Sequence, residues 1–247
     1  MKFIKTPYLP QNDVAFGIAG IGVEKYINGL KELNIEVLVP ESEPSVPKPV
    51  KDHADLSVNY LGDGRALLSK TQKKVKTELE IFGCKCRFIN ESLGNAYPED
   101  CKLNCVVNSR DLICNYAIVS DTLKELVKDR HIVNTRQGYT KCSLCPVTDK
   151  AFITDDKSIS SALIKAGYDV LETEKGSVTL KGYSYGFIGG ACFKASKNAL
   201  AFFGDVKTHK SYSDIKAFCA NYGIDLLSLD SGDLCDIGSF IPILEKE

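Results

Sequence analysis

Apolar and polar positions along the chain fall into a recurring order: an apolar run, a turn, a second apolar run, a segment with helical spacing, and a closing apolar run. The closing runs predict strands at Ile35 to Pro40, Cys84 to Ile89, His131 to Thr135, Tyr168 to Thr173 and Ile224 to Leu229. Internal repetition constrains architecture before any residue chemistry is considered. Before each closing strand, apolar residues recur on one helical face, as in Leu123, Leu126 and Val127 or Ile159, Leu163 and Ile164, so each helix has one stripe to bury. Ser69, Ser120, Asp156 and Ser211 stand where a helix N-cap is wanted, and Asn34, Gly83, Gly167 and Gly223 stand where a left-handed C-terminal residue is wanted.

Four helices follow a predicted hairpin: Asp55 to Tyr60 with Arg65 to Leu68, Asn104 to Val107 with Leu112 to Asn115, Ser143 to Val147 with Ala151 to Thr154, and Phe187 to Lys194 with Ala199 to Phe203. Gly62-Asp63-Gly64 and Thr148-Asp149-Lys150 are typical of the turns between them. The fifth unit is split, with strands in Leu234 to Ile243 and the Glu24 to Leu33 helix at the other end, so the termini are expected to meet. The pattern predicts an α/β (α+β) fold, a five-bladed β/α propeller of ββαβ repeats closed by the N- and C-termini. Paired strands before each helix argue against a doubly wound parallel sheet, which needs one strand between helices.

With 247 residues, 44% of them hydrophobic, and no break in composition, residues 1–247 are expected to form one domain. The Pro-rich segment Pro40 to Pro49 reads as an extended surface connection. A net charge of −1 and the lack of a dense basic tract leave no electrostatic footprint for nucleic acid. Lys70, Lys73, Lys74 and Lys76 read as a solvated helix face. No apolar run is long enough to span a membrane, and Met1 to Pro10 lacks the apolar middle of a signal peptide, so a cytoplasmic location is expected. Ten cysteines in a chain this rich in Val, Ile and Leu read as reduced thiols. Cys142 and Cys145 have CxxC spacing, but on one strand they would point to opposite faces and could not share zinc. No metal and no cofactor are expected.

Placed on a strand, His53-Ala54-Asp55 would put an imidazole and a carboxylate on one face, a workable acid/base pair. Aligning the first strands by their apolar cores gives Asp55-Leu-Ser-Val, Asn104-Cys-Val-Val, Cys142-Ser-Leu-Cys, Gly190-Ala-Cys-Phe and Asp236-Ile-Gly-Ser. If rotation relates the units, these leading residues converge on a central pocket suited to a small polar or cationic molecule. Cys142 then faces the pocket and Cys105 points away. Positive charge in Arg136 to Lys141 would favour a Cys142 thiolate. The Gly186 to Ala191 segment lacks the spacing of a phosphate loop and reads as close backbone approach. His209 reads as a cap or surface residue, and His131 carries no functional signal.

His53-Ala54-Asp55, Arg136 to Ser143, Gly186 to Ala191 and Asp236-Ile237-Gly238-Ser239 resemble the guanidino-group-modifying enzyme superfamily, the penteins, which are five-bladed β/α propellers, and more closely a bacterial branch of it with no assigned activity. The resemblance implies a cysteine that attacks a guanidinium carbon, a histidine that shuttles protons, and carboxylates that hold the cationic nitrogens. It carries the His-x-Asp motif onto His53 and Asp55. The superfamily's nucleophile usually lies in a Gly-rich context near the C-terminus, where this chain has Cys235, one residue out of the pocket register, so Cys142 ranks first and Cys235 second. The expected function is a cysteine-dependent hydrolase or transferase acting on a guanidine- or amidine-type compound. Cys142, His53 and Asp55 would be catalytic, and Asp236, Asn104, Gln137 and Gly190 would bind substrate. The alternative is a non-catalytic propeller binding a protein partner or small cation, like the ribosome anti-association factor that the superfamily resembles in fold. A pocket that gathers His53, Asp55, Cys142 and Asp236 favours the enzyme, and one blocked by apolar side chains favours the binding module.

Overall fold

The computed structural model describes residues 1–247 as a mixed α/β fold with five small sheets. The first stretch holds β1 (Lys2–Phe3), β2 (Val14–Ala19), α1 (Ile27–Glu32) and β3 (Glu36–Leu38). The second holds α2 (Ala54–Ser57), β4 (Val58–Gly62), β5 (Arg65–Leu68), α3 (Lys73–Ile81) and β6 (Lys85–Phe88). Then come β7 (Val106–Val107), β8 (Asp111–Cys114), α4 (Asp121–Leu126) and β9 (His131–Asn134), followed by β10 (Leu144–Pro146), β11 (Ala151–Thr154), α5 (Lys157–Lys165) and β12 (Asp169–Glu172). The last stretch has β13 (Cys192–Ser196), β14 (Ala199–Phe202), α6 (Tyr212–Asn221), β15 (Asp225–Ser228) and β16 (Phe240–Glu245).

One pairing rule runs through all five sheets. The first strand of a unit is antiparallel to the second, and the second is parallel to the third across the intervening helix, as in Asn59 opposite Leu67 and Leu67 opposite Arg87. The split unit obeys the rule with parts from both chain ends: β16 is antiparallel to β2, β2 is parallel to β3, and β1 adds an edge strand to β16. The termini therefore meet, as their patterns predict. Middle strands such as Asp111–Cys114 and Ala151–Thr154 are buried along their whole length, while closing strands alternate exposed and half-buried positions, as in Lys85–Phe88. Both faces of a middle strand are therefore covered, and the apolar stripes of the helices, including Val75 with Leu79 and Ile159 with Leu163, cover one of them. Phe193 stacks on Phe240 at 4.3 Å and on Phe203 at 5.6 Å, joining the C-terminal unit to its neighbour.

Asn34, Gly83, Gly167 and Gly223 all adopt positive φ where the helices end, as expected. Other boundaries differ from the sequence reading for identifiable reasons. The expected Glu24 to Leu33 helix begins as a 3₁₀ turn, Ile21–Tyr26, and becomes α-helical only at Ile27. Ile164, expected in the apolar stripe of α5, is 58% exposed, since it follows Leu163 by one residue and so turns about 100° around the helix. Ser69 does not cap α3, because its hydroxyl donates to Glu43 at 2.6 Å. The Glu41 carboxylate accepts the Lys74 amide at 2.6 Å in its place. The Pro-rich segment is thus a folded strap with a buried carboxylate, Glu43, rather than a plain surface connection.

The largest correction concerns the first strands of the four hairpins, which begin one to five residues later than expected. Their leading residues curl into turns or short helices, and apart from Asn104, whose amide turns back to Cys101 O at 3.0 Å, their amides bond to other stretches of the chain and are unavailable for their own ladder. The Asp55 amide donates to Gly238 O at 3.2 Å and the Gly190 amide to Cys142 O at 2.8 Å. No helix is long and apolar enough to cross a membrane.

Candidate active site

The five leading residues lie together, joined by hydrogen bonds that pass from unit to unit and return to the first. Asn104 Nδ2 donates to Asp55 O at 3.3 Å, and Asn104 Oδ1 accepts the Lys141 and Cys142 amides at 2.7 and 3.1 Å. Gly190 bonds to Cys142 as above, and Gly190 O accepts the Ile237 and Ser239 amides at 3.2 and 3.1 Å. Ser239 Oγ closes the circuit on Asp55 Oδ2 at 2.6 Å.

His53 precedes α2 in an extended conformation, so the His53 and Asp55 side chains meet across a helical turn, not along the single strand face that the sequence predicts. One ligand atom each from His53, Asp55 and Cys142 lies within 4.8 Å of the other two, a spacing that suits proton exchange and also matches a potential metal site. Asp55 Oδ2 accepts the Cys142 thiol at 3.1 Å, while Asp55 Oδ1 is buried without a partner. His53 Nδ1 stands 3.9 Å from Asp236 Oδ1. The Asp236 carboxylate accepts the Phe187 amide at 3.0 Å and the Gly238 amide at 2.9 Å. Burial raises its pKa despite the opposing effect of His53. Gly238, at φ +76°, passes so close to the imidazole that a Cβ would stand 2.3 Å from His53 Cβ.

The electrostatics of Cys142 correct the sequence reading. Burial, and then the negative charges of Asp55 and Asp236, push the Cys142 thiol well above its ordinary pKa, and Lys141 only partly opposes them. The Lys141 ammonium turns away, to Gly189 O and Ser239 Oγ at 2.8 Å each, with the Tyr8 ring 5.0 Å from it. In this resting arrangement the residue is a thiol that donates to a carboxylate.

A cavity of about 190 Å³ opens above these groups. His53, Cys142 and Asp236 supply its polar floor. Val50, Leu56 and Leu180 with Tyr139, Tyr183, Tyr185 and Phe187 form apolar walls, and Ser184 completes the lining. Asn104 and Gln137 do not line it. Asn104 holds the Asp55 carbonyl, the Cys142 thiol and the Lys141 and Cys142 amides, and Gln137 bonds to Asp156 and the Tyr139 amide, so neither side chain reaches the cavity as the expected substrate contact. Gly190 provides space: a Cβ there would lie 2.0 Å from Asp236 Oδ1.

Cys235 lies beside Tyr26 and outside the cavity, and Cys105 accepts from Asn59 at 3.4 Å, so both stand where the register put them. His209 is a buried acceptor for the Ser211 amide and His131 is exposed. The register also held an unused signal. Ser239 occupies the position of Val58, Val107, Cys145 and Phe193, a hydroxyl among apolar residues. The aromatic walls had a weaker one, Tyr183-Ser184-Tyr185 between Gly182 and Gly186.

The fold recurs in solved structures. The saxitoxin-pathway amidinotransferase SxtG from Microseira wollei is 9% identical, with a TM-score of 0.62 and 97% of each chain covered. The inosamine-phosphate amidinotransferase from Streptomyces griseus is 9% identical, with a TM-score of 0.60 and coverage of 97% of this chain and 96% of that one. The C. jejuni agmatine deiminase is 12% identical, with a TM-score of 0.56 and coverage of 98% and 96%. The resemblance to the pentein superfamily therefore holds at the level of fold. No curated protein matches the sequence. Residues 21–241 match the model described as "Family of unknown function (DUF6873)", and the chain belongs to that family.

Proposed function

We propose that this protein is a cysteine-dependent hydrolase or transferase acting on a guanidine- or amidine-type small molecule, with its five sheets closed as a five-bladed β/α propeller around the site. The observation that carries this reading is the meeting of His53, Cys142 and Asp236, brought from three separate stretches of chain, at the floor of one open cavity, with the buried Asp55 carboxylate, outside the lining, accepting the Cys142 thiol. The fold it shares with two amidinotransferases and an agmatine deiminase adds support. The open cavity favours this reading over a binding module. Ten free cysteines support a cytoplasmic location.

A guanidinium ion entering this floor would meet Asp236, and the buried Asp55 carboxylate bonded to Cys142 would add a second negative charge nearby. Its positive charge would offset the two carboxylates that hold the Cys142 thiol up, so substrate binding itself would promote passage of the thiol proton to His53, leaving a thiolate beside an imidazolium. The sulfur would attack the guanidinium carbon to form a C–S bond, and His53 would protonate the nitrogen that leaves as the C–N bond breaks. Water, or an acceptor amine in a transferase, would then attack the same carbon while His53 takes its proton and Cys142 is released.

Incubation with a panel of guanidines and amidines, followed by intact-mass analysis, tests this reading. The expected result is a covalent adduct that maps to Cys142 and is absent from Cys142→Ala. An adduct on Cys235, or turnover retained by Cys142→Ala, would refute the assignment.

A further inference from the structure

We propose, building on the function just described, that the substrate is a guanidine or amidine with no carboxylate, bearing an apolar alkyl or aryl group on nitrogen. Above the floor, the cavity presents seven apolar or aromatic side chains and one serine, with no lysine or arginine among the lining residues. The nearest buried cation, the Lys141 ammonium, is held by Gly189 O and Ser239 Oγ and turned away from the cavity. Lys181, next to Leu180 in the sequence, is exposed and does not line the space. An amino-acid substrate placed with its guanidinium on the floor would bring its own carboxylate against these walls. That carboxylate would lose water and gain no counter-charge.

An apolar substituent meets the opposite situation. Tyr139 and Phe187 lie 6.3 Å apart, and Tyr185 meets Phe187 edge-on at 6.0 Å, which offers ring faces and edges to an alkyl chain or aryl ring. Each fully buried methylene is worth about fourfold in affinity. A four-carbon chain, three methylenes longer than a methyl group and partly buried, should therefore bind on the order of fivefold to fiftyfold more tightly than methyl. The charged end of the ligand would be read by the floor and its neutral end by the walls.

Titration calorimetry on Cys142→Ser, chosen to stop turnover, compares methylguanidine, n-butylguanidine, phenethylguanidine, L-arginine and phenethyl alcohol. The expected order places the butyl and phenethyl guanidines first and arginine last. Arginine binding as tightly as butylguanidine would overturn this inference and leave the guanidine reading intact. Phenethyl alcohol binding while no guanidine does would remove the guanidine reading and this inference with it. Tyr185→Ala should weaken phenethylguanidine several-fold and leave methylguanidine unchanged, the latter serving as the control for folding. Unchanged phenethylguanidine affinity in a variant that still binds methylguanidine would also overturn the proposal.

Discussion

Gly190→Ala places a single methyl group against the most tightly held carboxylate of the site. A Cβ at Gly190 would stand 2.0 Å from Asp236 Oδ1, 2.3 Å from Cγ and 2.7 Å from Oδ2. Residue 190 does not have positive φ, so alanine suits the backbone, and the three atoms nearest the added methyl group all belong to the Asp236 side chain. To clear the methyl group, Asp236 must give up the Phe187 and Gly238 amides, which now donate at 3.0 and 2.9 Å. A hydrogen bond to a charged group contributes about 1.5 to 3 kcal/mol, so losing two costs roughly 3 to 6 kcal/mol. That is a large share of the 5 to 15 kcal/mol by which a domain of this kind is stable. Urea unfolding of the parent, Gly190→Ala, Asp236→Ala and the double variant gives a double-mutant cycle. Removing the carboxylate removes the clash, so adding Gly190→Ala to Asp236→Ala should cost less than about 1 kcal/mol, leaving a coupling energy of at least about 2 kcal/mol. An equal penalty in both backgrounds would refute the reasoning, as would a single variant within about 0.5 kcal/mol of the parent.

Cys142→Ala should abolish turnover while leaving the unfolding midpoint within a few degrees of the parent, as measured by calorimetry. Iodoacetamide mapped by peptide mass should label Cys142 slowly in the free protein, because burial and two carboxylates hold its proton, and millimolar guanidinium should accelerate that labelling. Fast labelling of the free protein well below pH 8.5 would contradict the assigned electrostatics. The Asp155 carboxyl is buried and pushed up to about 7, chiefly by that burial. The folded chain therefore keeps a proton that the unfolded chain has already lost, and stability falls as pH rises from about 4 to about 7, by at most roughly 4 kcal/mol. Asp155→Asn should gain stability relative to the parent across that window in urea curves at pH 4.5 and 8, and a difference independent of pH would refute the assignment. Turnover should survive exhaustive dialysis against a chelator, because the proposed roles of His53, Asp55 and Cys142 are in proton and carbon chemistry. Loss of activity restored by zinc would assign the trio to a metal.

Much of the architecture was legible in the sequence because local patterns repeat. Five closing strands, the glycines and asparagine that end the helices, and the split unit that joins the termini all follow from apolar periodicity and turn chemistry, which act over a few residues. The register of leading residues was legible too, since equivalent places in repeated units carried Asp55, Asn104, Cys142, Gly190 and Asp236. The conformation of those residues was not. All of their amides but that of Asn104 are satisfied by distant stretches of the chain, a long-range choice that no local propensity records, and the expected strand starts become tight turns. The same limit separates Cys142 from its expected thiolate. Lys141 is its neighbour in sequence, but tertiary packing aims that ammonium at Gly189 and Ser239 and brings Asp55 and Asp236 to the sulfur instead. Sequence alone determined which residues meet, through the repeat. Tertiary structure decided the surroundings that hold the proton on Cys142, the direction of each charge and the apolar character of the cavity above them, because these depend on burial and distance between residues far apart in the chain.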